Sequence, residues 1–150
     1  MKRPDLNWRP PHVYLPGQSD RHDAALFAPF HAEIRPGLTS ADLAGCRSWA
    51  LGWDLMEAGY GWEAHEVLEP VWMALPEGSD ERVFVQAVIQ GANATLKARM
   101  DRPKAALRLC GMSRALVDTL GGPGKVILGR DSQRLIDWLD RVEGQLEGEL

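Results

Sequence analysis

The residues able to do chemistry crowd into one stretch, Gly61-Trp62-Glu63-Ala64-His65-Glu66-Val67-Leu68-Glu69-Pro70-Val71-Trp72. Read as a helix at about 100° per residue, it puts His65, Leu68, Glu69 and Trp72 on one face. An imidazole and a carboxylate one turn apart can reach the same cation, as the two histidines of an HExxH zinc helix do. Here the fifth position is Glu69, so the string is HExxE. A histidine-carboxylate set suits zinc, manganese or iron rather than calcium. No histidine follows His65, so a second imidazole must come from His12, His22 or His31; otherwise Glu63 or Glu66 completes the set. On this reading His65, Glu69 and Glu63 hold a divalent metal, and Glu66 (or Glu63) is the base that activates a metal-bound water for hydrolysis.

Two other readings use the same residues. A closed hydrogen-bond network would fix helix register with no chemistry at all. Metal-free acid/base catalysis by His65 with Glu69 is the other, and it lacks an identifiable nucleophile or oxyanion site.

These side chains need elements to hold them. Leu75-Pro76-Glu77-Gly78-Ser79 is a tight connection, and Ser79 caps a helix over 80–99. Asp80 and Glu81 in its first turn and Lys97 and Arg99 in its last suit the helix dipole. No charge lies between Val83 and Leu96, which marks a helix buried on most sides. Its polar residues Gln86, Gln90 and Asn93, with Lys97 beyond, form a single line down one face. The short link makes 61–74 and 80–99 an antiparallel hairpin. Folding it puts Glu69 opposite Arg82 and Gln86, and His65 opposite Gln86 and Gln90. Two polar stripes then meet inside an apolar seam, where Glu69→Ala would leave buried partners unpaired. Arg82 is placed to orient a ligand carboxylate or an anionic substrate, and Trp62 and Trp72 to wall the pocket. Pro70 removes one donor and crowds the Glu66 carbonyl, which predicts a kink and a freed acceptor.

The rest of the chain reads as scaffold. Prolines 4, 10, 11 and 16 with Gly17 make 1–20 an extended arm, which Trp8, Val13, Tyr14 and Leu15 would seat on the body. A short helix over 20–35 is capped by Asp20 and disturbed by Pro29. A helix from Thr39 or Ser40 to Ala58 carries Leu43, Cys46, Trp49, Trp53 and Met56 inward. Another runs from Pro103 to Leu120, and a last one starts at Asp131 or Ser132. Gly121–Gly124 is a break, and Val126-Ile127-Leu128 plugs the end of the bundle. Trp138 reads as core and His31 as a surface or capping residue. The architecture is all-α: one domain over 1–150, a bundle of five or six helices around a central antiparallel hairpin.

Composition sets the outer limits. With 45% apolar and 25% charged residues and a net charge of −4, the chain lacks a basic run for nucleic acid; Lys2-Arg3 is too short. It shows neither a membrane-span-length stretch nor a signal core, so a cytoplasmic location is expected. The two cysteines, Cys46 and Cys110, read as small buried hydrophobes inside helices. A small-molecule ligand and a homodimer are the partners that stay open.

Gly59-Tyr60-Gly61-Trp62-Glu63-Ala64-His65-Glu66-Val67-Leu68-Glu69, with Trp72, resembles the signature of domain-of-unknown-function family number 309: a tyrosine- and glycine-bearing turn, an EAHExLE helix, then a tryptophan. Arg82 to Gln90 resembles that family's arginine-then-glutamine helix, and Ala105 to Leu109 its small-residue helix. The likeness spans about 40–120. Tyr14-Leu15-Pro16-Gly17 with His22 is similar to an N-terminal proline-glycine-histidine segment of some members, without the flanking prolines. Pro70 departs from the usual continuous helix. The resemblance implies a small all-helical fold and a predicted metal-dependent hydrolase. Its signature positions here are Glu63, His65, Glu66, Glu69, Trp72, Arg82, Gln86 and Gln90.

Overall fold

A computed structural model describes residues 8–148; the basic pair Lys2-Arg3 and the first residues of the arm lie outside them. The fold is all-α. After a 3-10 turn at Ala24–Phe27 come α1 (Ala28–Glu33), α2 (Ser40–Ala44), α3 (Arg47–Glu57), α4 (Gly61–Ala74), α5 (Asp80–Arg99) and α6 (Pro103–Thr119). A two-stranded antiparallel ribbon, β1 (Val126–Ile127) with β2 (Arg130–Asp131), leads into α7 (Ser132–Glu147). No helix among the described residues is long and apolar enough to cross a membrane.

The central hairpin has the predicted bounds. Gly59, at φ +92°, turns the chain between α3 and α4. Ser79 Oγ accepts from the Arg82 N–H at the start of α5. α5 forms the axis, and Phe84, Val85, Ala87, Val88, Ala92 and Ala94 are wholly buried on it. α3, α4, α6 and α7 pack around it. Where α4 meets α5 the backbones nearly touch: a Cβ on Gly61 would lie 2.5 Å from the Ala92 carbonyl oxygen and 2.6 Å from the Leu96 nitrogen.

Some expectations need correction. The helix expected from Thr39 or Ser40 to Ala58 is two, because α2 ends at Gly45 and Cys46 is extended (ψ 153°) as the N-cap of α3. Cys46 is therefore buried but outside a helix. Thr39 does cap α2, in a reciprocal capping box with Asp42. In the 20–35 region Asp23, not Asp20, provides the cap, and Pro29 sits in the first turn of α1 where a missing N–H is harmless. The apolar run at 126–128 pairs as a small ribbon and does close the bundle end, with Leu128 buried and its carbonyl accepting from the Trp49 indole at 2.8 Å.

Candidate functional site

The chemistry-bearing side chains of α4 divide into three separate settings. The first lies beneath the arm. Glu63 is fully buried, and a carboxylate removed from water needs strong donors. They come from the arm and the residues just after it: the Tyr14 N–H donates to Oε2 at 2.7 Å, and His22 Nε2 lies 2.7 Å from the same oxygen. The His22 side chain is 2% exposed. Its ring lies 4.5 Å from that of His12, 5.9 Å from Phe27 and 6.0 Å from Trp62, centroid to centroid. Ser19 shapes the arm here: its hydroxyl accepts from the Leu15 N–H and donates to the Val13 carbonyl. His12 donates to the Asp20 carbonyl at 2.6 Å. Glu63 Oε1 has no donor among the described residues.

The second setting is the α4–α5 seam. His65 Nε2 lies 3.0 Å from Glu69 Oε2 and Nδ1 lies 2.9 Å from Asn93 Oδ1, while the Asn93 amide reaches Gln90 at 3.5 Å. This replaces the expected His65 contact with Gln86 and Gln90. The expected burial is also corrected: the side chains of His65 and Glu69 are 34% and 49% exposed. They line the rim of the seam rather than its interior. Glu66 is half-buried on the flank.

The third setting is the loop end of the hairpin. The Arg82 guanidinium lies 4.0 Å over the Trp72 ring and donates to the Leu75 carbonyl at 3.4 Å. It does not face Glu69 as folding about the link suggests. Both shifts in pairing have one cause. Helical side chains lean toward the N-terminus of their own helix. In an antiparallel pair, His65 therefore leans toward the C-terminal half of α5, and Arg82 toward the C-terminal end of α4. Trp72, Glu77, Arg82, Val83, Gln86 and Leu116 line an open cleft of about 330 Å³.

The residues assigned to a metal are thus not all brought together. His65 and Glu69 adjoin, but Glu63 is committed to His22 and Tyr14 under the arm. Among the described residues no three His, Cys, Asp or Glu side chains converge as an ion would need. Neither cysteine offers a nucleophile, since burial pushes each thiol up to about 11. Sequence reasoning omitted from the site Asn93, although it stood in the polar line of α5. It also missed the Tyr14 N–H, which leaves no mark in a sequence.

Residues 49–109, which run from α3 into α6, match the family described as Domain of unknown function (DUF309). No curated protein and no solved structure matches the chain.

Proposed function

We propose, on the premise that residues 49–109 match the DUF309 family, a non-catalytic helical module whose polar contacts fix how its parts pack. The observation that carries this reading is the Tyr14–His22–Glu63 clamp. It spends the most deeply buried carboxylate of the signature on holding the arm, with its side chain closed off from the molecular surface. The His65–Glu69–Asn93 set supports it too, since its members bond one another across α4 and α5.

Metal-dependent hydrolysis is the competing reading. Among the described residues the side chains present do not form a closed ion site, because His65 and Glu69 give two donors, Glu63 is held in the clamp, and no third His, Cys, Asp or Glu converges with them. Titration of the purified protein with zinc, manganese and iron(II), followed by metal analysis after desalting, separates the two. The packing role predicts no stoichiometric ion. One ion per chain, lost in His65→Gln while the fold is kept, would replace it with the metal reading.

A further inference from the structure

We propose that the cleft beside Trp72 is a binding site for a small carboxylic acid with an apolar body, held by Arg82. This goes beyond the packing role and does not rest on it.

A guanidinium carries five N–H donors in a planar fork. Arg82 is only 16% exposed, yet its partners are one 3.4 Å bond to the Leu75 carbonyl and a 3.9 Å ion pair to Glu77. Glu77 is 93% exposed, so solvent screens that attraction and side-chain freedom weakens it. Arg82 is part of the cleft lining, beside Trp72 and Gln86.

Its orientation is already set. Stacking on Trp72 holds the guanidinium plane before any ligand arrives, which lowers the entropy cost of a bidentate contact. Around it, Val83 and Leu116 give apolar walls, and the Gln86 amide offers both a donor and an acceptor.

Charge and size narrow the ligand class. Among the described residues Arg82 is the one cationic side chain in the lining, and Glu77 stands at the edge. A monoanion suits that balance, whereas a phosphate dianion would meet one cation and one carboxylate. A volume of about 330 Å³ lies near the small end of ligand sites, which run about 300–1,000 Å³. A compact acid fits.

The test is a titration of the isotope-labelled full chain followed by NMR, with phenylacetate as probe and 2-phenylethanol and phenyl phosphate as controls. Phenylacetate should shift the Trp72 indole and Gln86 amide signals saturably, with Kd on the order of 1 mM. The indoles of Trp49 and Trp138, which are not part of the cleft lining, should stay in place. 2-Phenylethanol should bind at least about tenfold more weakly, and Arg82→Gln should lose the response, since the charge-assisted fork is gone. Glu77→Ala, a change at an exposed rim that cannot unfold the protein, should tighten phenylacetate about two- to threefold by removing a like charge. The proposal is overturned by an absent Trp72 response up to about 10 mM. It is equally overturned by equal binding of the alcohol, by tighter binding of phenyl phosphate, or by an affinity unmoved in Glu77→Ala.

Discussion

His31 Nε2 donates at 3.0 Å to the Glu66 carbonyl, the group whose helical partner would have been the N–H of residue 70. Residue 70 is proline, and α4 nevertheless continues from Gly61 to Ala74. The bond lost inside the helix is replaced from α1. His31 is exposed, as its reading as a surface or capping histidine expects, and it also ties two helices together.

A double-mutant cycle tests that exchange. His31→Ala should cost about 0.5–1.5 kcal/mol, the ordinary net value of one hydrogen bond. In a Pro70→Ala background the amide of residue 70 can serve the same carbonyl, so the His31 effect should shrink to a few tenths. Urea denaturation of the four proteins reads the coupling. Additive effects would mean that His31 and Pro70 act independently.

The clamp beneath the arm should be the most sensitive polar contact in the molecule. His22→Ala leaves the Glu63 carboxylate buried with only the Tyr14 amide, and breaking a buried pair on one side typically costs about 3–5 kcal/mol. Replacing both partners with apolar residues of similar size, His22→Leu with Glu63→Met, should recover much of that loss. Limited proteolysis of the arm should follow the same order. If the double variant is less stable than His22→Ala alone, the desolvation argument fails.

The hairpin was legible because its signals are local. Gly59, Ser79 and the charges at each end of 80–99 mark the bounds of α4 and α5. The break between α2 and α3 left no such trace. Leu43, Cys46, Trp49 and Trp53 keep helical spacing straight through Gly45, so a turned chain and a continuous one look alike in periodicity. The site was legible as a list and not as a geometry. Tyr14 and Glu63 are 49 positions apart, and their bond depends on how the arm lies across the bundle. The pairing of His65 with Asn93, and of Arg82 with Trp72, depends on the lean of side chains along each helix, which a flat register ignores.

That lean, together with the exposure at the rim, resets the expectation for Glu69. In a closed seam Glu69→Ala would strand buried partners. With Glu69 49% and His65 34% exposed, solvent can replace each lost contact, so Glu69→Ala and His65→Gln should each cost less than about 1 kcal/mol. Urea midpoints should therefore fall far less than in His22→Ala. A loss comparable to that of the clamp would show that the seam is closed in solution.

The buried thiols make stability depend on alkaline pH in a definite direction. Burial raises Cys46 and Cys110 from an ordinary 9.0 to about 11, the nearby Glu143 adding to the effect at Cys110. Between those values the unfolded chain gives up thiol protons that the folded chain keeps. The contribution is thus intact below about pH 9 and is lost as pH rises toward about 11, by roughly 2–3 kcal/mol per thiol. Lysines and tyrosines also titrate there, so the comparison is with a Cys46→Ala, Cys110→Ala variant. Its stability should fall less steeply between about pH 8 and about pH 10. Iodoacetamide should also label native thiols far more slowly than a free cysteine at about pH 8, with the rate set by opening of the fold. Parallel stability curves, or labelling at the rate of free cysteine, would show that both thiols ionise as if exposed.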